Sequence, residues 1–146
     1  MIKTQELRIG NWLIGEYGLL AQVLYATNGS VCLISPTSKE RLYVKVDPIV
    51  SGDLYNVKPV PLTPEILEKC GFEEGMSKWY NKKYFTDCKE SSEVMEIQIN
   101  IKSFRCGIAD TDFGGTNAMT GKRIEYLHQL QNLYYSLCGE ELIYTP

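Results

Sequence analysis

The chain has 146 residues, a formal charge of −3 from 15 Lys and Arg against 18 Asp and Glu, and 44% hydrophobic residues. That is the composition of a globular chain long enough to bury a core without metal or disulfide staples. A sequence pI near 5.2 excludes a general nucleic-acid or anionic-membrane binder, since both partners demand a basic surface.

Residues 1–18 contain no apolar core flanked by basic residues, so no signal peptide is expected. The uncharged stretch 17–38 is long enough to cross a membrane, but Asn28-Gly29-Ser30 interrupts it and Pro36 lies near its end. Alternating apolar residues around Asn-Gly predict a β-hairpin instead. The five cysteines, Cys32, Cys70, Cys88, Cys106 and Cys138, are odd in number and lack paired short spacings. This predicts buried free thiols in a reducing cytoplasm rather than a zinc site or a disulfide framework. No cofactor motif is present.

The first third reads as β structure. Residues 7–14 predict a short strand with a bulge or turn at Gly10-Asn11, and 19–26 and 30–34 flank the Asn28-Gly29 turn. Residues 41–46 alternate Leu42, Val44 and Val46 against Arg41, Tyr43 and Lys45, the period of a half-buried strand, before Asp47-Pro48 breaks it. Short strands joined by tight turns predict a small SH3-like barrel over residues 1–58. An α+β lobe is expected over 59–146, the two forming one compact unit.

In that second lobe a helix is predicted over 63–70, capped by Thr63, opened by Pro64 and closed by Gly71. Antiparallel strands are expected over about 76–108. Residues 76–87 read as a hairpin turning near Asn81-Lys82, and 93–102 as a strand with Met95, Ile97, Ile99 and Ile101 on one face. Residues 104–108 suit a strand or a bend, and 110–121 a loop. The apolar spacing of Ile124, Leu127, Leu130, Tyr134 and Leu137 predicts a long helix over 122–138, with Glu125, Gln129, Asn132 and Ser136 on its wet side. Residues 142–145 suit an edge strand.

Three constellations invite a functional reading, and each has a structural alternative. The run from Asp110 through Asp112 to Asn117 has part of a calcium-loop pattern, but Gly114 and Gly121 stand where acidic ligands belong. A plain loop, or an anion contact reinforced by Lys122 and Arg123, remain the two readings. His128, the sole histidine, has no triad or two-His partner spacing and suits a boundary position better than a catalytic base. The run from Lys78 through Trp79 and Tyr80 to Phe85 interleaves cations with aromatics; acidic neighbours favour a hairpin with guarded edges over a base-stacking surface. Ten tyrosines against four phenylalanines point to an interface. Tyr126, Tyr134 and Tyr135 on one helix suggest a homo-oligomer packed through it.

Three segments together resemble a family of small proteins of unknown activity carried by phages and prophages of Bacteroides-type bacteria. They are Leu7-Arg8-Ile9-Gly10-Asn11-Trp12; Pro61-Leu62-Thr63-Pro64-Glu65-Ile66-Leu67 through Cys70-Gly71-Phe72; and Ile124-Glu125-Tyr126-Leu127-His128-Gln129-Leu130-Gln131-Asn132-Leu133-Tyr134-Tyr135 through Gly139-Glu140-Glu141-Leu142. The resemblance implies a phage origin and action in the bacterial cytoplasm, and it supplies no catalytic residues.

The leading expectation is a non-enzymatic accessory protein that sequesters a small nucleotide-like ligand, as an anti-defence sponge for a host immune signal. Trp12, Trp79 or Tyr80 would stack the base. Arg105, Lys122 or Arg123 would meet phosphate, Asp110, Asp112 or Asn117 would accept ribose hydroxyls, and His128 would border the ligand. The alternative is an SH3-like module that grips a host or phage protein.

Overall fold

Two antiparallel five-stranded sheets and two α-helices make up most of the regular structure of a computed structural model that describes residues 2–15, 18–27, 30–45, 57–86, 93–111 and 118–146, with backbone alone at 42–45, 86 and 93. The chain is mixed α+β. It divides into two compact units: Met1–Pro61 with Tyr126–Asn132, and Leu62–Glu125 with Leu133–Pro146. The sequence boundary after residue 58 lies close to this one, but the C-terminal helix contributes residues to both units.

In the first unit, β1 (Trp12–Ile14), β2 (Leu20–Ala26), β3 (Ser30–Ile34), β4 (Arg41–Lys45) and β5 (Lys58–Pro59) pair in the order β4-β3-β2-β1-β5. The period-2 pattern turns Ala21 and Val23 inward on β2, and together with Ile2, Leu7, Leu13, Val31, Leu33 and Val57 they form the core. The register slips by one residue between Val23 and Tyr25, a bulge that bends β2. No pairing joins β4 to β5 among the described residues, so the five strands form an antiparallel sheet without the closure of the expected SH3-like barrel. The first strand is also shorter than the predicted 7–14. Asn11 N–H donates to the Arg8 carbonyl and Asn11 Oδ1 accepts from Arg8 N–H, which closes a turn at Ile9-Gly10 with Gly10 at φ +91°. Asn28-Gly29 and Asp47-Pro48 lie outside the described residues.

In the second unit, α1 (Pro64–Lys69) is built as its sequence predicts. Thr63 Oγ1 accepts from Ile66 N–H at 3.3 Å, Pro64 occupies the first turn, and Gly71 takes φ +80° beyond the end. Then β6 (Glu73–Glu74), β7 (Trp79–Thr86), β8 (Glu93–Asn100), β9 (Cys106–Asp110) and β10 (Ala118–Met119) pair in the order β10-β9-β8-β7-β6.

Five local expectations are corrected here. Residues 76–87 are not a hairpin: β7 pairs with β8 over its whole length, so Asn81 and Lys82 sit mid-strand opposite Gln98 and Ile97. β8 ends at Asn100, whose Oδ1 accepts from the N–H groups of Lys102 and Ser103 and folds 101–103 into a turn. Residues 110–121 are not all loop, because Asp110 closes β9, and Ala118 and Met119 pair with Ile108 and Gly107. The long helix α2 (Leu127–Cys138) starts five residues later than predicted. Ile124 N–H donates to the Phe104 carbonyl and Tyr126 bridges Pro61, so 123–126 is held outside the helix. Gln129 Oε1 reaches back to Tyr126 N–H at 3.3 Å while Gln129 N–H donates to the Tyr126 carbonyl, a reciprocal cap that fixes the start. Residues 142–145 form no strand, though Leu142 and Tyr144 are buried. No helix among the described residues is long and apolar enough to cross a membrane.

Candidate functional site

The turn after β8 and the strand β10 create a basic pocket in the second unit. Asn100 N–H donates to the Arg105 carbonyl, and Phe104 N–H to the Asn100 carbonyl, which sets Arg105 at the mouth of β9. Thr120 N–H donates to the Cys106 carbonyl and Ile124 N–H to the Phe104 carbonyl, so residues 120–124 run alongside 104–106. Between these ties, Thr120 Oγ1 donates to the Lys122 carbonyl at 2.8 Å and rounds the backbone. The result is a pocket of about 240 Å³ lined by Arg105, Met119, Thr120, Gly121, Lys122 and Arg123. All three cations are exposed, and among the described residues the lining contains neither a carboxylate nor an aromatic ring.

Its chemistry is that of an anion receptor. Two guanidiniums offer forked donors suited to phosphate or carboxylate, and the lysine adds a mobile point charge. A second groove, of about 410 Å³, lies along β6 and β7 and is of mixed charge. There Lys78 pairs with Glu74 at 3.3 Å, Gln98 donates to Glu96 at 2.8 Å, and the Lys82 ammonium lies 5.9 Å from the centre of the Tyr134 ring. These contacts engage Glu74, Glu96 and Lys82, and the lining carries charges of both signs.

The aromatic candidates do not join the cations. Trp12 and Tyr80 are 7% and 2% exposed, so neither offers a face to a ligand, and Trp79, half-buried at the start of β7, is absent from the pocket lining. Asp110 ends β9 and is half-buried, while Asp112 and Asn117 lie outside the described residues. His128 belongs to the first unit, whereas the pocket belongs to the second. It is 1% exposed, stacks on Tyr126 with ring centres 5.9 Å apart, and both its ring nitrogens lack a partner. Burial pushes its pKa down to about 4, so the ring is neutral near pH 7.

Cys32, Cys70 and Cys106 are buried free thiols, Cys138 is half-buried, and Cys88 lies outside the described residues. Burial raises Cys70 and Cys106 to about 12, far from the thiolate a nucleophile requires. Among the described residues no group of three or more His, Cys, Asp or Glu is arranged to hold a metal.

One set of polar contacts is not foreseen from the sequence, which places Asn11 only in a turn and Asn132 on the wet side of the helix. Gln131, 2% exposed, accepts from Trp12 N–H at 3.0 Å and donates to the Gly10 carbonyl at 3.2 Å. Asn11 Nδ2 donates to Asn132 Oδ1 at 3.0 Å, and Asn132 Nδ2 to the Glu6 carbonyl at 2.7 Å. The helix thus docks on the turn before β1 through amides rather than apolar contacts alone. The available signal was phase: Leu127, Gln131 and Tyr134 stand at i, i+4 and i+7, which puts Gln131 on the buried face. These bonds tie residues 6–12 to residues 131 and 132.

No family model, curated protein or solved structure matches the chain.

Proposed function

We propose that this protein binds a small phosphate-bearing, nucleotide-like ligand in the Arg105–Lys122–Arg123 pocket and holds it without transforming it. One observation carries the reading: three exposed cations surround one pocket of a chain whose net charge is −3, with no carboxylate among the described residues of the lining to neutralise them. Uncompensated like charges in a concave site repel one another and favour an anion. The sole histidine is buried and neutral, and among the described residues neither it nor a thiol lines the pocket, which supports retention over chemistry. The resemblance to phage and prophage proteins supports a role as a sponge for a host nucleotide signal, acting in the bacterial cytoplasm.

Isothermal titration of the full chain with adenosine diphosphate tests the site. Binding weakened about tenfold by Arg105→Gln, the loss of one charge-assisted contact, is the expected result. A variant that binds as tightly as the parent, or no binding by the parent at millimolar ligand, would overturn the assignment.

A second reading has its own support. The order β4-β3-β2-β1-β5, a four-strand meander whose fifth strand returns to the first, is compatible with an SH3-like interaction module, and Ile9 and Leu19 are exposed on that unit. Under either reading the exposed Tyr135 on α2 suits a self-association surface, which light scattering at micromolar concentration would reveal as a mass above 16.6 kDa.

A further inference from the structure

We infer that the pocket recognises a diphosphate group and leaves the base unread, so that ligands differing only in the base bind alike. The inference rests on the phosphate-binding reading above and narrows it to a substrate class. Three observations support it. First, the volume of about 240 Å³ falls below the roughly 300–1,000 Å³ of pockets that enclose a whole drug-sized ligand, so the pocket takes a part of its ligand. Second, among the described residues the lining has no aromatic ring to stack a base and no carboxylate to accept from its amino groups. Its one side-chain hydroxyl, on Thr120, already donates its proton to the Lys122 carbonyl. Third, the charges match. Two guanidiniums and one ammonium carry three positive charges, against about three negative charges on a diphosphate near pH 7 and about two on a monophosphate. Arg105 and Arg123 lie on separate segments, each able to fork onto a phosphoryl group.

The experiment is a titration series on the full chain with inorganic pyrophosphate, the diphosphates of adenosine, guanosine and uridine, adenosine monophosphate, and adenosine. Expected are dissociation constants within about threefold across pyrophosphate and the three diphosphates, about tenfold weaker binding of the monophosphate, and none of adenosine. Lys122→Gln should weaken all four diphosphate ligands by the same factor. A preference above tenfold for one base, or binding of adenosine alone, overturns this inference while leaving a ligand site at the pocket. If no phosphate compound binds, the functional reading falls with it. The folded state of each variant is checked by its melting temperature, so that loss of binding is not loss of fold.

Discussion

The amides of the first unit and the cations of the second are both polar groups brought together by tertiary structure, and they are used in opposite ways. Asn11, Gln131 and Asn132 hydrogen-bond to one another or to the backbone of residues 6–12. Such groups fix how a helix meets a turn, because a slip would leave buried donors without acceptors. Arg105, Lys122 and Arg123 face solvent around a cavity lined, among the described residues, by no opposing charge. Exposed cations of this kind add little to stability and remain available to a ligand. Polarity and proximity alone therefore do not mark a site; whether the protein itself satisfies the group does. His128 tests the distinction, since it is as buried as Gln131 three residues along the same helix yet has no partner at either nitrogen.

The largest expected effect comes from breaking the amide dock. Gln131→Leu keeps the helix and its apolar face but strands the buried Trp12 N–H, at a cost of about 2–3 kcal/mol. The Gly10 carbonyl keeps its bond from Gln22 Nε2 at 3.1 Å, which limits the loss. Urea denaturation measures it. A change below 0.5 kcal/mol, on the order of an ordinary surface substitution, would show that the dock is incidental.

His128 should behave in the opposite sense. Its pKa falls from an ordinary 6.5 to about 4 in the folded chain, so the unfolded chain takes up the proton first. Stability from the neutral ring is therefore complete above about pH 6.5, declines as the pH falls toward 4, and changes no further below that; the total is on the order of 2–3 kcal/mol. His128→Leu removes two orphaned polar atoms and should raise stability at pH 5 by about 2 kcal/mol, with less gain at pH 8. Parent and variant curves that run parallel from pH 8 to 4 would mean the imidazole finds a partner or water in solution.

Much of this contrast follows from what local sequence can express. α1 is legible because Thr63, Pro64 and Gly71 act within one helix length, and β8 because its alternation needs no knowledge of its neighbours. β7 is misread because Asn81-Lys82 has turn chemistry, which full-length pairing to β8 overrides. The start of α2 is misread because Ile124 has the right helical spacing, while the Phe104 carbonyl that holds it outside the helix is twenty residues away. The pocket cations can be named one by one from the sequence. That Arg105 would share a cavity with Lys122 and Arg123, and that Trp12 and Tyr80 would be buried elsewhere, depends on strand pairing and burial that the sequence states only indirectly.

The smallest expected effect is the one that separates the two regions most clearly. Replacing Arg105, Lys122 and Arg123 together by Gln removes three like charges that have no ion-pair partner among the described residues of the pocket lining. Their mutual repulsion is relieved and no buried group is left unsatisfied, so stability should change by less than about 0.5 kcal/mol, with a gain more expected at low salt than a loss. The same triple variant should lose pyrophosphate binding altogether. A melting temperature lowered by several degrees, with binding lost in parallel, would mean that the cations hold the 120–124 segment in place. The pocket would then belong with the amide dock as structure, and the contrast between the two units would collapse.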